Sequence, residues 1–240
     1  MKKILIFMAV LGGFGTLKAQ KQEGTIVFDQ KTNMHKLITD ESIKAMIPEF
    51  RTTQHQLIFN AEESLYKVLE KDDDDDESMG SGGVSIKFKP SRNQTYRNYT
   101  NQKKTELKIL LDKKYLVTDT LQTMPWKLGT ETKKIKGFDC TKATMVNAEN
   151  KKTTVAWFTP EIACSGGPEN YGTLPGMILE VNVNDGEMIY TATSVTFAKL
   201  KPSDLKQPSE GKITTPAEFK KVMEDFKANR NNNIRTMMKN

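Results

Sequence analysis

Apolar and polar residues alternate with a period of two along most of the chain after Gly24, and this alternation predicts β-strands. Ile26 and Phe28 are the alternating apolar positions of a first strand. Segments 57–59 and 64–69 flank a short polar turn, which predicts a hairpin. The first third of the chain therefore indicates a sheet, not a helical bundle.

Further pairs of strand-like segments follow: 105–111 with 114–118, 141–146 with 153–158, and 178–183 with 187–196. The last pair is joined at Asn184-Asp185-Gly186, where Asp-Gly favours the positive φ angles of a tight turn. About ten strands in adjacent pairs predict an antiparallel meander, because parallel strands need long crossovers. We therefore expect a mainly β fold, either a curved antiparallel sheet or an open half-barrel.

Two helices are predicted beside the sheet. Asp40 can cap a short helix near 41–47. A second helix near 215–229 begins with Thr215 as its cap and Glu218 three residues later, which is the spacing of a capping box. Its apolar residues recur at helical spacing and form one stripe that must be buried: Phe219, Val222, Met223 and Phe226.

The chain divides into a leader at 1–19, a β-rich domain at 20–200, a linker at 201–214, and a C-terminal helix and tail at 215–240. Within the domain, segment 71–83 contains five consecutive aspartates, whose repulsion predicts a solvated acidic loop. A weak Ca²⁺ site is the alternative for this loop, but the EF-hand spacing is absent.

The first twenty residues are typical of a signal peptide. Lys2 and Lys3 precede an apolar stretch, and cleavage is expected near Ala19. We therefore expect a periplasmic or secreted protein. The three lysines of this segment account for half of the formal charge of +6, which leaves +3 for the mature chain.

Composition excludes several classes of protein. Apolar residues make up 37% and charged residues 28% of the chain, so it can bury a core. A charge of +3 is too weak to indicate a nucleic-acid partner. After residue 20 no apolar run reaches the roughly 18 residues of a transmembrane helix. We expect a monomer without a transmembrane span.

The cysteines allow two interpretations. Cys140 and Cys164 could form a disulfide in an oxidising compartment, or they could be buried free thiols. A zinc site is not expected, because neither His35 nor His55 lies at ligand spacing from a cysteine. The twelve methionines fit core packing better than Cu(I) binding.

The sequence contains no motif that names a reaction. A phosphate-binding loop, a dinucleotide fingerprint and an H-E-x-x-H motif are all absent. Only His35 and His55 could provide the base of a nucleophile triad, and both are interpreted as polar sheet residues. We predict no catalytic residue, no metal and no cofactor.

Segment 157–183 is the most distinctive part of the chain. In Leu174-Pro175-Gly176, Pro presets φ and Gly accepts a positive φ, as a type II turn requires. The loop could aim the strand that follows, or its rim could contact a ligand. Four residues are candidates for lining a ligand site, although core packing is the alternative for each: Trp126, Trp157, Phe158 and Met177.

These residues carry a resemblance to a known family. The run Tyr171-Gly172-Thr173-Leu174-Pro175-Gly176-Met177-Ile178 resembles the signature of the GLPGLI family, exported proteins of outer-membrane-bearing bacteria without an established activity. It departs from that signature at Thr173 and Met177. The resemblance implies export and a β-rich fold.

Our leading hypothesis is a noncatalytic envelope protein. Its curved sheet would hold the C-terminal helix or an apolar ligand, such as a lipid or a peptide, in its concavity. A protein–protein module that binds an outer-membrane partner through a sheet edge is the alternative. A hydrolase that depends on His55 is a third interpretation.

Overall fold

The computed structural model describes residues 23–69, 77–79, 86–88, 91–148 and 150–237. Three helices lie within these ranges: α1 (Met34–Leu37), α2 (Glu41–Lys44) and α3 (Pro216–Met237). The described strands are β1 (Gly24–Asn33), β2 (Phe50–Phe59), β3 (Glu63–Val68), β4 (Glu77–Met79), β5 (Ile86–Phe88), β6 (Gln94–Asn98), β7 (Lys103–Leu110), β8 (Lys113–Thr120), β9 (Lys127–Ile135), β10 (Phe138–Val146), β11 (Thr153–Thr159), β12 (Met177–Val183), β13 (Met188–Phe197) and β14 (Lys212–Thr214).

Twelve of the strands form one sheet, in the order β14-β8-β7-β6-β3-β2-β1-β13-β12-β11-β10-β9. Every neighbouring pair in this sheet is antiparallel except β14 and β8, which are parallel. The mainly β, antiparallel fold predicted from the sequence is therefore confirmed. β4 and β5 pair separately.

The sheet is curled but not closed. Ten strand spacings separate β8 from β9, which would be about 48 Å in a flat sheet. Only residues 121–126 connect these two strands, and a fully extended chain covers about 25 Å from the end of β8 to the start of β9. The two strands can be joined only because the sheet bends them toward each other, so the short connection crosses the concave side.

The main core lies on this concave, inner face. Ile26 and Phe28 of β1 and Leu57 of β2 are fully buried there, together with apolar residues of β10 to β13. A smaller cluster lies on the outer face, where Leu205 packs with Ile58 of β2. The predicted linker 201–214 is thus part of the fold, since it contributes Leu205 and strand β14.

The C-terminal helix has its predicted cap and packs against the sheet at its β8 edge. Thr215 and Glu218 exchange hydrogen bonds, with the Glu218 backbone N donating to Thr215 Oγ1 at 3.3 Å. The helix packs against β8, where the rings of Phe219 and Tyr115 lie 5.4 Å apart. The register places Tyr115 on the same face of the sheet as Tyr66, so the helix covers the inner face at the β8 edge. The fully buried Ile162 and Leu174 of the β11–β12 loop pack in the main core on this face.

The short helix α2 is one turn long, not the span 41–47 that we predicted. Asp40 caps it as expected and accepts from the backbone N of Ser42 at 2.9 Å. In the described part of the chain no helix is both long and apolar enough to cross a membrane. The predicted signal peptide and the five aspartates lie outside the described residues.

Candidate functional site

Residues 160–176 connect β11 to β12 and fold over the inner face; we call them the capping loop. Ile162 and Leu174 anchor the loop in the main core. The loop is also tied to the strand that follows, because the Ile178 backbone N donates to the Gly166 carbonyl at 3.0 Å. Apolar burial and backbone hydrogen bonds thus fix both ends of the loop.

The return of the capping loop uses unusual backbone angles. Gly176 has a φ of +142°, as the Leu174-Pro175-Gly176 turn predicts for its glycine. A Cβ at Gly176 would lie 2.1 Å from the carbonyl oxygen of Thr159, so no side chain fits there. Thr173 also has a positive φ of +65°, which a β-branched residue rarely adopts.

A second segment crosses the same side of the sheet. Residues 121–126 run from β8 to β9. The Met124 backbone N donates to Thr173 Oγ1 at 3.1 Å, and Trp126 Nε1 donates to the Gly172 carbonyl at 2.9 Å. The hydroxyl of Thr173 thereby connects the capping loop to the crossing segment.

Three polar residues join the capping loop to the sheet, and we call them the polar latch: Arg97 of β6, Glu169 of the capping loop and Tyr190 of β13. Arg97 is only 2% exposed and donates through Nη2 to the Glu169 carbonyl oxygen. Tyr190 is fully buried, and its hydroxyl donates to Glu169 Oε2. The latch ties the capping loop to two separate strands through both the backbone and the side chain of Glu169.

A shallow depression of about 280 Å³ opens between the ends of the capping loop, the β2–β3 turn and Tyr99. Small ligand pockets begin near 300 Å³, so this space suits a single ring or one to two peptide residues. The Tyr99 hydroxyl lies 2.7 Å from Ser64 Oγ. The depression is lined by Ala61, Tyr99, Pro160, Ile162, Ala163, Cys164, Ser165, Pro175 and Gly176.

The two titratable side chains that line this depression, Tyr99 and Cys164, are neutral at physiological pH. Burial raises the pKa of the Cys164 thiol to about 11, and burial also raises the pKa of the Tyr99 hydroxyl. Cys164 is therefore a thiol, not the thiolate that a nucleophilic cysteine needs. On the inner face, burial lowers the pKa of His55 to about 4, which keeps its imidazole uncharged.

No three His, Cys, Asp or Glu side chains of the described residues are grouped so that they could hold a metal ion. The polar latch has one carboxylate, which accepts from the Tyr190 hydroxyl, and one guanidinium, which donates to the Glu169 backbone carbonyl. Chemically, the depression offers neutral donors and acceptors beside an aromatic ring.

The four predicted lining residues do not line one cavity. Phe158 and Met177 are buried in the core, and Trp126 covers the inner face with the crossing segment. Trp157 pairs across the strands with Lys142 and Glu180, on the side of the sheet opposite Phe158.

The ring of Trp157 is in contact with a charged pair. Lys133 Nζ lies 4.5 Å from its centroid and donates to Glu180 Oε1 at 2.7 Å. Trp157 is thus a half-buried residue of the outer face that also packs in part against the main core.

The motif residues and the cysteines have structural positions. Tyr171 packs its ring 6.0 Å from that of Tyr190, and Gly172, Leu174 and Pro175 belong to the return of the capping loop. Cys140 and Cys164 are both buried free thiols, so the alternative of a disulfide is not formed in this structure. Burial also raises the pKa of Cys140 to about 11.

Sequence reasoning missed Arg97, Glu169 and Tyr99. Arg97 lies in the five-residue strand β6, which has no extended alternating pattern. Its partner Glu169 is 72 residues away in an irregular loop. No spacing rule connects residues so far apart in the chain. The glycine- and proline-rich sequence of segment 157–183 was the one feature that pointed to this part of the structure.

The part of the chain that forms this site matches a known protein family. The family described as "N-glycanase peptide, N-terminal domain" matches residues 83–220, which include the capping loop, Tyr99 and the polar latch. No curated protein matches the chain. Our assignment to the GLPGLI family is wrong, because the matching family is a different one.

Solved structures of PNGF-II share the fold. One crystal form superposes with a TM-score of 0.57 at 17% identity, covering 84% of this chain and 33% of PNGF-II. A second form gives 0.56 at 17% identity, covering 83% and 32%. The chain thus spans about a third of the length of these proteins, and at this identity the likeness concerns the fold alone.

Proposed function

The chain belongs to the family of N-glycanase peptide N-terminal domains, and on this premise we propose that it is a noncatalytic domain that binds N-glycosylated polypeptides. The family match over residues 83–220 carries the proposal, because it includes nearly all of the depression and the loop that shapes it. The family name points to N-linked glycans as the ligand class.

The lining of the depression supports a neutral, hydroxyl-rich ligand. Sugars present hydroxyl groups for hydrogen bonding and an apolar ring face that packs against aromatic side chains. Tyr99 supplies an aromatic ring, and the capping loop supplies Ser165 and backbone groups. At about 280 Å³ the depression fits one sugar ring and leaves the rest of a glycan in solvent.

An apolar cargo has less support than a glycan. The inner face, where we expected a lipid or a peptide, is packed by the protein's own residues, including Phe28, Leu57 and Ile162. We retain export as part of the proposal, with cleavage near Ala19. N-terminal sequencing of the secreted or periplasmic protein tests this, and a chain that retains Met1 contradicts it.

The binding proposal is tested by titration calorimetry with an N-glycopeptide and with the same peptide without its glycan. We expect only the glycopeptide to bind. Ala61→Arg places a long side chain at the rim of the depression and should weaken binding by about tenfold, equivalent to about 1.4 kcal/mol. Ala148→Arg is the matched control, since Ala148 is exposed in a turn at the opposite end of the sheet.

Each outcome separates one interpretation from the others. Equal binding of both peptides would show that the polypeptide, not the glycan, is the ligand, which would favour the protein–protein module. Unchanged affinity in Ala61→Arg would move the site away from the depression. Glycan release that is detected by mass spectrometry and lost in His55→Ala would make the protein a hydrolase and overturn the noncatalytic proposal.

A further inference from the structure

Two polar atoms beneath the capping loop are left without protein partners. Tyr66 of β3 is 4% exposed and Arg97 is 2% exposed. Within the described residues, Tyr66 Oη and Arg97 Nη1 make no hydrogen bond to the protein, and neither does Nδ1 of His55, whose ring stacks on Tyr66. Leaving such groups unpaired away from water costs about 1–3 kcal/mol each, and more for a charged group. Unpaired groups of this kind on two neighbouring strands indicate a missing polar partner.

The two atoms belong to one cluster. Tyr66 pairs with Thr95 and Ser64 pairs with Arg97 across β3 and β6, so Tyr66 and Arg97 are diagonal neighbours on one face of the sheet. Burial raises the pKa of the Tyr66 hydroxyl, on which the charges of Glu169 and Arg97 also act. The ring of His55 stacks on Tyr66 with centroids 5.2 Å apart and planes 5° apart. Arg97 also acts on Tyr99 and Cys164 at the depression. The cluster therefore lies near the lining of the depression.

The charges of the cluster indicate what fits there. Arg97 Nη1 can only donate, whereas the Tyr66 hydroxyl can donate or accept, so the partner must accept at least one hydrogen bond. An anion would satisfy them, but the Glu169 carboxylate already balances the Arg97 guanidinium, and the neutral His55 adds no positive charge. A second negative charge would be buried without compensation, which is costly. A neutral acceptor is favoured.

We propose that an enclosed water molecule bridges Tyr66 Oη and Arg97 Nη1 beneath the capping loop. Water accepts two hydrogen bonds and has two hydrogens left for acceptors in the same cluster. The water completes the polar latch from the side of β3, so that three strands hold the loop. This site is independent of the proposed glycan binding.

The first test is the sign of the change in thermal stability in Tyr66→Phe. If water is bound, removing the hydroxyl loses a hydrogen bond and lowers the melting temperature by about 2–4 °C. If the hydroxyl has no partner, removing it leaves the melting temperature unchanged or higher, which would overturn the proposal. Tyr190→Phe is the matched control, because its hydroxyl bonds to Glu169 and its loss must lower the melting temperature.

The second test is a high-resolution crystal structure of the full chain grown with bromide. We expect electron density for water within hydrogen-bonding distance of both Tyr66 Oη and Arg97 Nη1, without an anomalous signal. An anomalous peak at this position would show an anion site and contradict the charge argument. A space without density would contradict the site altogether.

Discussion

Gly176 gives the sharpest test of how the capping loop is built. A Cβ at this position would lie 2.1 Å from the Thr159 carbonyl oxygen and 2.8 Å from the Pro160 Cα, and these backbone atoms cannot rotate away. Its φ of +142° adds conformational strain of about 1–3 kcal/mol. Overpacking adds about 1–3 kcal/mol. We expect Gly176→Ala to lower the free energy of unfolding by about 4 kcal/mol.

Gly137 provides the matched control. Its φ of +86° is also positive, but a Cβ there would meet no atom within 4 Å. Gly137→Ala should therefore cost only the conformational strain, about 1–2 kcal/mol. Urea unfolding followed by tryptophan fluorescence measures both, and about 4 kcal/mol corresponds to a midpoint shift of about 1.5 M. Equal losses in the two variants would refute the close packing of the loop return against β11.

Three further predictions concern buried and capping groups. Native Cys140 and Cys164 should not react with a thiol reagent, whereas unfolding without reductant should expose two reactive thiols; finding none would show a disulfide. Because His55 has a pKa of about 4 when folded and 6.5 when unfolded, the unfolded chain binds more protons between these values. The contribution of His55 to the free energy of unfolding, about 3 kcal/mol, is complete above pH 6.5 and is lost as the pH falls to 4. His55→Phe should flatten this decline, and stability curves with the same pH dependence in both proteins would contradict the prediction. Thr215→Ala should remove the cap of α3 at a cost of about 1 kcal/mol and reduce the helical circular dichroism, and an unchanged spectrum would argue against the cap.

Local rules predicted the hairpins and caps because each depends on a few neighbouring residues. The Asn184-Asp185-Gly186 turn has positive φ at all three positions, as its Asp-Gly pair indicates. Strand β9 was not predicted, because nearly all its side chains are exposed at the sheet edge and no apolar alternation marks it. Alternation of apolar and polar residues arises when one face of a strand is buried. An edge strand with two exposed faces therefore shows no such alternation.

The candidate site could not be predicted in the same way. The apolar stripe of α3 predicted a helix packed on the sheet, and its Phe219 does contact β8. The sequence did not predict that Ile162 and Leu174 of an irregular loop also pack in the main core. How deeply the α3 stripe or the β11–β12 loop enters the core depends on how the whole sheet curves. No local sequence pattern predicts that curvature. The latch between Arg97 and Glu169 likewise depends on long-range topology.

The most direct test of the binding proposal is to map amide chemical-shift changes on the isotope-labelled protein during titration with an N-glycopeptide. We predict that the largest changes fall on Ala61, Tyr99 and residues 160–165 around the depression, and that the unglycosylated peptide causes none of them. Changes centred on Trp157 and its neighbours on the outer face, with the depression unaffected, would contradict the account.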